Sequence, residues 1–162
     1  MDIWTERLEE RHLPILENWV GRISVRITPN DLPQNPAELP AWYKDCTLEI
    51  GRVDCLISLY ETPVGISGLR HCDTRAGTGE FYLMLGESNY NPLRVAAYAA
   101  LQMLDRAFQE CGYDSVSTHV FCRCVEYLKA LEKMGFTHIA EKDEMICAEV
   151  RKQEFLSRKY LF

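Results

Sequence analysis

Free N–H groups at the start of a helix bind anions, and one stretch of this 162-residue chain is laid out to present them. Gly79 to Leu85 reads as a strand, with apolar Leu83, Met84 and Leu85 bounded by Gly79 and Gly86. Ser88 to Asn91 is turn chemistry, and Pro92 suits the first helical position, where its missing N–H is no loss. An apolar helix is expected from Pro92 to about Cys111, with Gly112 just past its end. The same pattern also describes an ordinary strand-to-helix joint, so the rest of the chain must decide.

Other chemistries are poorly supported. The seven cysteines are odd in number and scattered, and no C-x-x-C pair exists; Cys122-Arg123-Cys124 is not a usual zinc pattern, so no metal is expected. Met1 to Arg7 has no apolar leader core, which suggests reduced thiols in a cytoplasmic protein. The net charge of −6 argues against nucleic acid as a partner and suits an amine-bearing one. No run approaches a membrane span.

The elements that must position this stretch are read from periodicity. Residues 3–9 read as a first strand and Arg11 to Val20 as a helix ended by Gly21. Thr28 to Pro40 holds four of the seven prolines and reads as a loop beside Trp19, Trp42 and Tyr43, either a bland surface loop or a wall of an acceptor pocket. Ala37 to Tyr43 suggests a short helix. Arg52 to Tyr60 and Val64 to Cys72 form a hairpin, and Asp73 to Gly79 is a loop on composition. Ser115 to Phe121 is a strand and Val125 to Met134 a helix stopped by Gly135. Phe136 to Ala140 and Met145 to Val150 are two last strands. The expectation is a single α/β (α+β) domain over residues 1–162, a mixed, mostly antiparallel sheet of six to seven strands with helices on both faces.

This order, with four local sequences, resembles the GNAT superfamily of N-acetyltransferases, and in particular its ribosomal-protein alanine acetyltransferase branch. Thr5-Glu6-Arg7-Leu8 is similar to that branch's T-E-R-L opening, and Pro63-Val64-Gly65 to its P-I-G strand entry. Asp105-Arg106-Ala107-Phe108-Gln109-Glu110-Cys111-Gly112 is similar to D-Y-A-F-E-E-L-G, and Glu132-Lys133-Met134-Gly135-Phe136 to E-K-L-G-F. The resemblance implies the GNAT fold, acetyl-CoA as co-substrate, an amine acceptor (small molecule or protein N-terminus) and a homodimer. It also implies that Leu83, Met84 and Leu85 line the cofactor strand. The pyrophosphate would lie on Asn91, Leu93, Arg94, Val95, Ala96 and Ala97, with Cys124 and Tyr127 on the following helix.

The chain departs from the family in three places. The family's Q/R-x-x-G-x-G/A loop maps onto Asn91, Arg94 and Ala96, or one residue later onto Pro92, Val95 and Ala97; in either register its central glycine is missing. Cys124 stands for a usual Asn, and Leu131 for a usual Tyr. The competing expectation is therefore a catalytically silent GNAT-fold module for ligand or protein binding. For transfer, the family's acid near the acceptor implies Glu80 as base, with His71 and Asp73 as alternatives. Tyr82 is either an orienting group for the amine or a core residue. Strand N–H groups near Leu85 and Gly86 would polarise the thioester carbonyl. His119 reads as a sheet histidine satisfied within the fold.

Overall fold

The computed structural model describes residues 2–22, 27–87 and 89–161; Ser88, read as part of the turn, lies outside them. Among the described residues seven strands form one sheet in the order β1-β2-β3-β4-β5-β7-β6. They are β1 (Ile3–Arg7), β2 (Val53–Leu59), β3 (Thr62–Asp73), β4 (Thr78–Leu85), β5 (Ser115–Phe121), β6 (Thr137–Lys142) and β7 (Met145–Arg151). Every neighbouring pair is antiparallel except β4 with β5. A parallel pair needs a crossover, and the crossover here is α3 (Pro92–Gln109).

Strand alternation assigns the two faces. Phe81, Leu83 and Leu85 point into one apolar cluster with α3, α4 (Val125–Lys133) and α5 (Lys152–Arg158). Tyr82 and Met84 point the other way, into a smaller cluster with α1 (Leu13–Glu17) and α2 (Leu39–Leu48). Among the described residues α1 and α2 pack over the β2–β4 half of that second face. Across β5, alternate residues Ser115, Ser117, His119 and Phe121 are only half-buried, and all of β6 is exposed. The second face is therefore closed on one side and open on the other.

The structure shifts several expected boundaries. The first helix is a 3₁₀ turn (Glu10–His12) followed by α1, which ends at Glu17. The proline-rich stretch ends earlier than expected, because Pro36 and Pro40 sit in first turns where no N–H is needed, and α2 runs to Leu48. The hairpin strand β3 runs on to Asp73, so the loop before β4 is shorter. α5 has no counterpart among the expected elements; it docks Phe155 on Phe108, with ring centroids 5.4 Å apart.

Candidate functional site

The site is built where β4 and β5 part. Their parallel pairing runs from Thr78–Ser115 to Phe81–Thr118 and stops there. At that vertex Glu80 lies opposite Arg70 on β3 and Ser117 on β5, and Ser117 in turn lies opposite Glu149 on β7. Directly paired residues share a face, so Arg70, Glu80, Ser117 and Glu149 form one row across the partly open face. Glu80, Ser117 and Glu149 line, with His71, Thr78, Gly79 and Ser115, a cleft of about 230 Å³.

His71 reaches this row through a bulge. Between the pairs Arg70–Glu80 and Asp73–Thr78, β3 carries two residues against one on β4. A bulge of this kind re-aims a side chain. His71 itself adopts φ +51°, a left-handed conformation uncommon for a residue other than glycine. The outcome is a 2.6 Å contact between His71 Nδ1 and Glu80 Oε2, with the rest of the imidazole largely exposed. His119 Nδ1 lies 3.0 Å from the other carboxylate oxygen, and Arg70 Nη2 3.6 Å from the same one. Burial raises the Glu80 carboxyl pKa, but the Arg70 guanidinium and the hydrogen bonds from His119 and His71 outweigh it and hold it below its ordinary value. With Glu80 ionised, Nδ1–H of His71 donates and Nε2 is left as the lone-pair nitrogen. A buried carboxylate that fixes a tautomer and faces an accessible imidazole is a proton-accepting arrangement.

The other expected residues divide. Tyr82 is wholly buried; its hydroxyl donates to Asp54, and burial followed by that carboxylate pushes its pKa well up. It is a core residue with no access to an acceptor amine, which corrects the orienting role. Asp73 is engaged in its own turn, accepting from the N–H groups of Arg75 and Ala76 at 3.0 Å. Arg70 and His119 join the site although sequence reasoning did not place them there. Their signal lies in register, since both become neighbours of Glu80 only once β3, β4 and β5 are aligned.

A charged cluster holds the proline-rich loop against the site. Arg52 clamps Asp31 with two bonds of 2.7 and 3.0 Å and reaches Asp54 at 2.9 Å. Arg70 donates to the Pro29 carbonyl at 3.1 Å. The loop thus walls a second cavity of about 210 Å³ between Trp19, Arg22, Pro29, Met84 and Phe121. Trp19 lies directly on Gly86, where any Cβ would overlap the indole, and its Nε1 donates to Glu87 at 2.9 Å.

At the far end of β4 the expected phosphate cradle is narrower than the sequence suggested. Pro92 has no N–H, Asn91 Oδ1 accepts from the Arg94 N–H at 3.2 Å, and the Val95 N–H bonds the Asn91 carbonyl at 3.3 Å. Val95 and Ala96 are fully buried in the α3 cluster, and Ala97 is half-buried. The Leu93 N–H, just after Pro92 in the first turn, and the exposed Arg94 side chain are the groups that the α3 N-terminus offers a phosphate. Cys124 is the N-cap of α4, its N–H bonded to Phe121 at 2.9 Å, and its thiol pKa is raised by burial. Tyr127 is buried, with a hydroxyl that has no hydrogen-bond partner among the described residues.

The β4 backbone is better provided. The Gly86 N–H bonds Val64 on β3 at 2.7 Å, so it is turned away from the split. By strand alternation the N–H and C=O of Leu83 and Leu85 face the split instead. An extended, amide-containing ligand such as the arm of acetyl-CoA fits an edge of this kind.

Comparison with known proteins bears on the family and the fold. The acetyltransferase (GNAT) domain family matches residues 5–137. No curated protein sequence matches the chain. Among solved structures, a chimera of spermidine N-acetyltransferase SpeG from Vibrio cholerae and hSSAT superposes with a TM-score of 0.80 at 13% identity, covering 98% of this chain and 100% of that one. The dodecameric spermidine N-acetyltransferase from Vibrio cholerae gives 0.80 at 15% identity, covering 96% and 97%. At such identities these likenesses speak for the fold. The family match over most of the chain, on a split sheet of this topology, establishes that the protein belongs to the GNAT acetyltransferase family and is an acetyl-CoA-dependent N-acetyltransferase.

Proposed function

We propose that the acceptor is a primary alkyl amine entering from the open face, and that His71 accepts its proton while Glu80 holds the imidazole. The observation that carries this is the 2.6 Å contact of His71 Nδ1 with a buried, ionised Glu80 at the vertex of β4 and β5. An alkyl amine with a pKa of about 10 is mostly protonated at neutral pH. A nucleophilic nitrogen requires that proton to leave, and imidazole is the side chain best suited to take it there. Glu80 alone is a poorer acceptor, because its neighbours stabilise the carboxylate.

Acetyl-CoA supplies the activated acyl group. In this reading Leu83 and Leu85 hold its arm, the Leu85 N–H faces the thioester carbonyl, and Leu93 and Arg94 meet the phosphates. The cleft of about 230 Å³ lies below the ~300 Å³ at which pockets for drug-sized ligands begin, so it suits the thin end of a chain. Glu149 on its rim favours a cation. A polyamine fits this description better than an amino sugar. A protein N-terminus, the substrate type of the ribosomal-protein branch, also has a thin end.

The test is acetyl-CoA turnover with a diamine or polyamine against short peptides with free N-termini, in wild type and Glu80→Gln. Turnover of an alkyl amine that falls in the variant while acetyl-CoA binding persists is the expected result. Activity confined to peptides would overturn the acceptor reading, and undiminished activity of Glu80→Gln would overturn the dyad.

A further inference from the structure

Beyond Phe81 and Thr118 the two parted strands turn backbone groups into the split, and the chain itself occupies them. Thr28 Oγ1 donates to the Leu83 carbonyl at 2.8 Å and accepts from the Leu83 N–H at 2.9 Å. One residue earlier, the Ile27 carbonyl accepts from the Phe121 N–H of β5 at 3.0 Å. Both Ile27 and Thr28 are 2% exposed, and the Ile27 side chain is packed in the α3 cluster with Leu83 and Leu85. A two-residue segment thus bonds to both lips of the split and replaces the rungs that β4 and β5 no longer share.

We infer that Ile27–Thr28 is an internal strap that occupies the acetyl-CoA arm's place on β4, and that the cofactor must displace it to bind. The inference rests on the proposed use of the split by acetyl-CoA. The Leu83 N–H and C=O are the groups an extended amide would pair with, and one hydroxyl now satisfies both. Strap and arm therefore compete for the same donor and acceptor. A protein whose competent state is only partly populated binds with its intrinsic affinity reduced by that fraction. Weakening the strap should strengthen binding; if Thr28 instead helped to hold the cofactor, the same change would weaken it.

The experiment is calorimetric titration of the full chain with acetyl-CoA for wild type, Thr28→Ser, which keeps the hydroxyl, and Thr28→Val, which removes it. The expectation is that Thr28→Ser binds as wild type does and Thr28→Val binds roughly tenfold more tightly, the order of effect of losing one or two ordinary hydrogen bonds. Equal or weaker binding by Thr28→Val would overturn the strap while leaving the cofactor site standing. Absence of binding by every form at millimolar acetyl-CoA would overturn both. Stopped-flow association on the wild-type protein gives an independent reading: an opening step makes the observed rate level off as acetyl-CoA rises, and a strictly linear dependence would overturn the strap.

Discussion

His71 and Glu80 meet across the one place where β3 carries two residues against one of β4, and the 2.6 Å contact between them depends on that extra residue. A regular strand would put His71 on the opposite face from Arg70 and Glu80. Deleting Cys72 to restore a regular ladder should therefore abolish turnover while the protein still binds acetyl-CoA. His71→Ala makes the milder comparison. Removing one proton-transfer group is expected to lower kcat by about 10²–10⁴, and a kcat within twofold of wild type would contradict the assignment.

The Glu80 carboxyl is held below its ordinary value of 4.5. A group whose pKa is depressed on folding adds stability at pH above its unfolded value, and that stability is lost as pH falls through the folded one. Melting temperature against pH should show wild type losing stability below about pH 4.5 more steeply than Glu80→Gln, which lacks the titrating group. Parallel curves would mean that the surrounding cations do not stabilise the carboxylate.

Arg52 has a side chain only 4% exposed and faces three carboxylates, Asp31, Glu49 and Asp54. Removing one partner of a buried charge pair costs about 3–5 kcal/mol; with Asp31 partly exposed, the low end applies. Arg52→Met should therefore lose about 3 kcal/mol in denaturant unfolding, and it should release the proline-rich loop from the site.

Gly86 packs against the face of Trp19 with no space for a methyl group. Overpacking of this kind costs about 1–3 kcal/mol, so Gly86→Ala should be destabilised by that amount. The double variant with Trp19→Leu should recover part of it. Full additivity of the two changes would show that the indole is not what excludes the side chain.

Asn91 caps the Arg94 N–H. Replacing an N-cap Asn by Gly costs only a few tenths of a kcal/mol, yet it frees a donor at the α3 N-terminus. Asn91→Gly should bind acetyl-CoA more tightly than wild type, and weaker binding would mean that the Asn91 side chain itself contacts the ligand.

The sequence revealed the fold where period and punctuation were strong. α3 has its apolar stripe, its Pro92 start and Gly112 beyond its end, and α4 closes with Gly135. Glu80 was singled out only through the resemblance, whose acid near the acceptor falls at the start of this strand. α5 was not, because seven residues with Phe155 as their one buried position give no measurable period. The site's remaining members depend on long-range register. Thr28 meets Leu83 across 55 positions and His119 meets Glu80 across 39. The bulge that aims His71 needs a left-handed histidine, which no composition rule favours.

The half-covered second face separates two kinds of evolutionary freedom. The α3 side is a close-packed core in which one misplaced methylene is felt throughout. Over β5, β7 and β6 the same sheet presents half-exposed side chains, Ser115, Ser117, Glu149 and the wholly exposed β6, whose replacement disturbs little else. Surface substitutions of that kind usually shift stability by no more than about 0.5 kcal/mol. With the amine entering from this face, as proposed above, a lineage built on this sheet would exchange one amine for another by changing that wall while the opposite side stays as it is.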